Sequence, residues 1–178
     1  MHDQLIKTTA YTLIFLLIAC GPCMSLEIKS RYATIVYNEE KDLHRFNEEF
    51  YLGKYSYLLR KDDITGVSDE VRFKTDLIVE RVKSILDMFP EKLEFRIAIC
   101  SSEREIQKAY RLIYGKATHY SAFYAPEINT VFFSVNDMEL VTIAHEFAHI
   151  VMTCYFNVSP PVKIHELLSR YAARHITD

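Results

Sequence analysis

The sequence predicts an α+β fold: a small sheet, including a hairpin, packed on helices. Three observations carry this. Leu93, Phe95, Ile97 and Ile99 alternate with Glu94, Arg96 and Ala98, the two-residue period of a half-buried strand. The stretches from Ser68 to Phe89 and from Asn136 to Tyr155 instead carry apolar residues at helical spacing. Two short aromatic runs, His119 to Ala125 and Thr130 to Ser134, flank Pro126-Glu127-Ile128-Asn129, which reads as a hairpin loop.

In chain order, Arg31 to Tyr37 reads as a first strand, and Lys41 to Leu52 as a helix with Leu43, Phe46 and Phe50 on one face. Asp62 to Gly66 is a polar break. Ser68 then caps a long helix whose stripe is Val71, Ile78, Val82, Ile85 and Phe89, with Pro90 as its stop. Lys92 to Cys100 is the alternating strand. Ser102 and Glu105 have capping-box spacing for a helix ending at Gly115. The hairpin follows. Asn136 with Glu139 opens a helix to about Tyr155, Ser159-Pro160-Pro161 interrupts it, and Val162 to Ile176 is a last amphipathic helix.

The 178 residues suit one domain with a short extension, and 49% apolar content is enough for a core. A net charge of -3 leaves no basic footprint for nucleic acid. Four glycines and five prolines leave little for long flexible linkers. The N-terminus is distinct. Ala10 to Cys20 (AYTLIFLLIAC) is an uncharged, mostly apolar run after Lys7, too short to span a bilayer comfortably and suited to a signal-peptide core. It ends Leu17-Ile18-Ala19-Cys20, which resembles the bacterial lipobox, with Cys20 as the lipidated residue and hence a membrane anchor. Ordinary cleavage near Ser25 and an uncleaved anchor are the alternatives. All three readings place residues 26–178 outside the cytoplasm, with 1–25 as the leader. Export permits a disulfide between Cys100 and Cys154; two small buried side chains are the plainer reading.

The chemistry is concentrated at His145-Glu146-Phe147-Ala148-His149, an HExxH stretch inside a helical segment. Positions i and i+4 share a helix face, so both imidazoles reach one metal ion, and Glu146 can be aimed at a water on it. The surrounding residues, Ile143, Ala144, Phe147, Ala148, Ile150 and Val151, are apolar. Two histidines and a carboxylate buried there without partners would be costly, and a metal removes that cost. A catalytic zinc site takes three protein ligands and keeps one position open. Ile150 to Tyr155 offers no third histidine, whereas Glu166 lies 17 residues after His149, just past the Pro160-Pro161 turn. His165 is its rival, but neighbouring helical positions point about 100° apart, so only one of the two faces the metal. His44 and His119 read as surface or structural residues, and Tyr120, Phe123, Tyr124, Phe132 and Phe133 as sheet packing.

HExxH followed by a glutamate on the next helix resembles the gluzincin pattern. Pro161 to Tyr171 (PVKIHELLSRY) is similar to the P-x-W-[LF]-x-E-G-x-A-x-Y segment of the peptidase MA-like families, and Ala122 to Phe133 (AFYAPEINTVFF) to their G-x-Y-D-P-x-x-N-x-I-x-L hairpin. The resemblance covers about residues 90–176. It implies a zincin-like scaffold: a small mixed sheet with an edge hairpin, a motif helix and a C-terminal ligand helix. It further implies zinc bound by His145, His149 and Glu166, Glu146 as general base, a peptide or protein substrate, and Thr130 to Ser134 as the sheet edge along which that peptide pairs. Three departures accompany it. Leu167 replaces a glycine, and Arg170 stands where many gluzincins have an aspartate orienting a zinc histidine. Only 12 residues follow Glu166, so the oxyanion-stabilising group must be local, with Tyr155, Tyr171 and His175 as candidates. Three functions compete: an exported metallopeptidase; a zinc-site envelope protein without hydrolytic activity that serves as a binding or assembly module; and a small regulatory cytoplasmic metallopeptidase, against which the leader speaks.

Overall fold

A computed structural model describes residues 25–59, 64–136 and 138–178. The leader with Cys20, and Arg60 to Asp63 around the polar break, lie outside the described residues. Five strands form one mixed sheet: β1 (Leu26–Lys29), β2 (Ala33–Tyr37), β3 (Phe95–Cys100), β4 (Ala122–Ala125) and β5 (Thr130–Ser134). Among the described residues five α-helices accompany them: α1 (Glu40–Glu49), α2 (Val67–Leu86), α3 (Glu103–Tyr114), α4 (Leu140–Tyr155) and α5 (Val162–His175). The spatial order is β1-β2-β3-β5-β4. The centre is parallel, β2 on β3 and β3 on β5, and both outer strands run antiparallel to their neighbours. This is an α+β architecture, as the alternation and the helical stretches predicted.

The alternation decides which layer each helix occupies. Ile35, Ile97 and Phe133 share one face, and Leu43, Phe46, Val71, Ile78 and Phe147 pack on it, so α1, α2 and α4 cover that side together with α5. Ile106 and Ala109 of α3 pack instead with Cys100, Phe123 and Phe132 on the reverse face. There Phe123 and Phe132 stack across the hairpin, centroids 4.7 Å apart and planes 12° apart. Phe147 meets Phe95 and Phe133 edge-on and fixes the motif helix to the sheet. Full burial of a side chain of this size stabilises by about 1.5–3 kcal/mol.

Several boundaries differ from the sequence reading. β1 was not foreseen; only Ile28 of its four residues is buried, so it has no alternation long enough to read. The N-cap of α2 is Gly66, which puts Ser68 inside the helix. The helix stops at Leu86 rather than at Pro90, because Asp87 turns left-handed (φ 52°, ψ 41°) and returns its N–H to the carbonyls of Lys83 and Ser84; Phe89 is consequently out in solvent. At α3 Ser102 is the N-cap, but the Glu105 carboxylate accepts from the Ser101 N–H, one residue earlier than a capping box requires. Asn136 does not cap α4, whose N-cap is Glu139; the Asn136 side chain accepts from Arg45 instead. Thr130–Ser134 is not an edge. It lies between β3 and β4, and the outer strand of the hairpin is Ala122–Ala125.

Cys100 and Cys154 are both free thiols, one in the reverse-face core and the other against the main core, so the sheet separates them. Among the described residues no helix is long and apolar enough to cross a membrane.

Asp87 gives a first prediction. A left-handed residue is disfavoured for any side chain with a Cβ, and a carboxylate opposes the negative end of the helix dipole. Asp87→Gly is expected to stabilise by about 1 kcal/mol, raising Tm by roughly 2–4 °C in a chain of this size. An unchanged or lowered Tm in calorimetry would refute this account of the helix end.

Candidate metal centre

The buried face of α4, formed by Ile143, Ala144, Phe147, Ala148, Ile150 and Val151, sets the direction of everything else on the helix. It turns His145 and His149 away from the core, one above the other, with their Nε2 atoms 3.2 Å apart. Residues 156–161 then reverse the chain. Pro161 is the N-cap of α5, and its carbonyl accepts from the N–H groups of Ile164 and His165. Glu166 therefore sits in the first turns of a helix packed directly on α4. Its Oε1 is 3.6 Å from His149 Nε2 and its Oε2 is 3.9 Å from His145 Nε2.

These separations can be tested against an ion. Tetrahedral zinc with ligand bonds of about 2.0–2.1 Å holds its ligand atoms about 3.4 Å apart. The two Nε2 atoms, 3.2 Å apart, are close to that spacing, and the two Glu166 oxygens, 3.6 Å from His149 and 3.9 Å from His145, lie slightly beyond it, so the donor set is compatible with one ion of this kind. One ligand atom from each of His145, His149 and Glu166, all within 4.8 Å of one another, makes these three a group that could hold a metal among the described residues. His165 is engaged elsewhere. Its Nε2 lies 3.0 Å from Ser159 Oγ, and its ring stacks on His149 with planes 14° apart, which steadies that imidazole. His44 and His119 are exposed and remote in the fold, on α1 and on the strand-free segment before β4.

The electrostatics suit ligation. Burial, then the neighbouring His145 and His165, bring His149 down to about 4. Burial also lowers His145; the Glu166 carboxylate opposes this and the Arg170 guanidinium adds to it. Both imidazoles are thus neutral at neutral pH, with lone pairs free for a metal.

Glu146 follows His145 on α4 and is 9% exposed. Burial pushes its carboxyl up to about 7; the backbone N–H of Tyr124 resists and the Glu166 charge reinforces the rise. A carboxylate that takes and returns a proton near neutrality is what general-base work requires. The Tyr124 backbone contact joins Glu146 to β4. Sequence reading missed this contact, since a hairpin motif does not say which of its arms lies outermost.

The oxyanion candidates are placed less favourably. Tyr155 lies at the end of α4 with its ring edge-on to Phe156. Tyr171 and His175 pack on each other, centroids 4.0 Å apart, and His175 also faces Asp178. Arg170, one turn beyond Glu166 on the same side of α5, is the positive charge that acts on His145 against the Glu166 carboxylate. Leu167 is exposed, so its side chain meets no steric obstacle.

The buried groups make opposite contributions to stability in the metal-free protein. Glu146, raised from about 4.5 to about 7, stabilises fully below pH 4.5, and this is lost as pH rises to 7. His149, lowered from about 6.5 to about 4, stabilises above pH 6.5, and this is lost as pH falls to 4. Glu146→Gln removes only the first. With chelator present, the variant's stability should rise with pH more steeply than wild type between pH 4.5 and 7, by up to about 1.4 kcal/mol per pH unit. Parallel urea-midpoint curves for the two proteins would contradict the burial of this carboxyl.

Searches of protein-family models, of curated proteins and of solved structures each return no match to this chain.

Proposed function

We propose that this chain is a zinc-dependent metallopeptidase of gluzincin type on a zincin-like scaffold, acting outside the cytoplasm. The observation that carries the reading is Glu166, which arrives from a second helix to close the triangle begun by His145 and His149. Glu146 beside them, buried and near neutral, supports hydrolysis over a purely structural ion. Zinc bound there would supply a Lewis acid that polarises the scissile carbonyl and acidifies water. Glu146 takes a proton from the attacking water and returns it to the leaving amine. His145, His149 and Glu166 hold the centre, and the His165 ring keeps His149 in place. An extended peptide pairs with β4, the outer strand, whose Tyr124 backbone adjoins Glu146.

A second reading is a zinc-site envelope protein that binds without cleaving. It is favoured by the positions of Tyr155, Tyr171 and His175, whose rings pack on other side chains. The deciding assay follows casein or a peptide library with the zinc-loaded chain, its Glu146→Gln variant, and chelator with zinc restored. Wild type as inert as the variant, each holding one zinc, would leave the second reading standing.

A further inference from the structure

The outward face of α5 is apolar where a surface helix is ordinarily polar. Ile164, Leu167 and Tyr171 recur at i, i+3 and i+7, opposite the buried Ser169, Ala172, Ala173 and Ile176, and are 43%, 63% and 47% exposed. Val158 and Val162, 84% and 77% exposed, add apolar surface at the start of the helix, Val162 on the side of Glu166 rather than on the stripe. Three exposed cations, Lys163, Arg170 and Arg174, run along its flank, and none forms an ion pair among the described residues. The single carboxylate of the helix, Glu166, is turned to the histidines. This local positive charge belongs to a chain whose net charge is -3.

We propose that this face docks on an anionic lipid surface. A protein-binding helix commonly rims its apolar centre with both charge signs, whereas an interfacial helix pairs an apolar face with cations alone. Tyrosine suits the boundary between acyl chains and headgroups, and Tyr171 stands there on the stripe. The geometry is that of a helix lying in the plane of the interface, with α4 and the sheet above it. Since Glu166 belongs to the docked helix, the metal centre is held about one helix diameter, ~10 Å, from the headgroups. The proposal does not require hydrolysis at that centre. A single lipid chain anchors only marginally and a second signal makes attachment stable; the α5 face is such a signal.

The chain has no tryptophan, so Leu167→Trp introduces a sole reporter. Leu112→Trp is its control, replacing a leucine of 44% exposure on α3, on the reverse side of the sheet. Both full-length variants are mixed with phosphatidylglycerol–phosphatidylcholine vesicles carrying brominated acyl chains. Indole emission from the Leu167→Trp protein should shift to the blue and be quenched, and emission from the Leu112→Trp protein should not. Adding Lys163→Gln and Arg174→Gln to Leu167→Trp should reduce the docked fraction by roughly fivefold per cation removed. The proposal is overturned if the α5 reporter stays unquenched or if both reporters are quenched equally. It is also overturned by a blue shift of the α5 reporter that grows with protein concentration without lipid, which would assign the face to a second copy of the chain.

Discussion

Glu146→Gln is expected to lower the rate of peptide hydrolysis by about 10²- to 10⁴-fold while zinc content stays the same. Glutamine keeps the volume that fills the space beneath β4, and its amide oxygen still accepts from the Tyr124 N–H. It lacks only the capacity to take and return a proton. The substitution also removes a buried ionisable group, so the folded state should not weaken at neutral pH. The informative measurement pairs turnover on a peptide library with metal analysis of the same samples. A variant that cleaves as fast as wild type sinks the assignment of Glu146, and equal inertness with full zinc sinks the peptidase reading.

Removal of Glu166 should act on the metal first and on activity through it. Glu166→Ala leaves two nitrogen ligands where a catalytic zinc needs three protein groups. Its effect should exceed the 10- to 100-fold loss typical of a residue that merely orients a ligand. Because the three candidate ligands come from both α4 and α5, a bound ion would tie the helices together and its binding would add to folding stability. At zinc about 1,000-fold above Kd this amounts to about 4 kcal/mol. Chelator should then lower the wild-type Tm by roughly 8–16 °C and leave Glu166→Ala nearly unmoved. Titration calorimetry of Glu166→Ala and His165→Ala gives the sharper test. If His165→Ala loses zinc and Glu166→Ala keeps it, the ligand has been misassigned.

What could be read from the sequence followed from how local each signal is. The strand ending at Cys100 and the helix carrying His145 and His149 were legible because each announces its own period over many residues. Glu166 was legible because a proline turn of a few residues leaves little freedom in where the next helix can lie. The order of β4 and β5 was not, since it depends on which arm of the hairpin pairs with β3 some thirty residues earlier. The end of α2 escaped for a different reason. A left-handed aspartate has no sequence mark as strong as glycine, and Pro90 nearby was the louder stop signal. The caps were legible only in part: Ser102 and Gly115 do bound α3, but none of the five α-helices among the described residues has a side-chain cap hydrogen bond, and the residues expected to cap α2 and α4 do not stand at their N-caps.

The two outer strands are defended unequally. β1 carries Glu27 and Lys29, exposed charges that discourage a stray strand from adding to that side. β4 is Ala122-Phe123-Tyr124-Ala125, with no charge at all. A margin without charge and only four residues long, beside the candidate metal centre, invites foreign backbone while limiting how much of it can be gripped. The same opening that would admit a substrate exposes the protein to its own kind at high concentration, so solubility and recognition are set by one short strand.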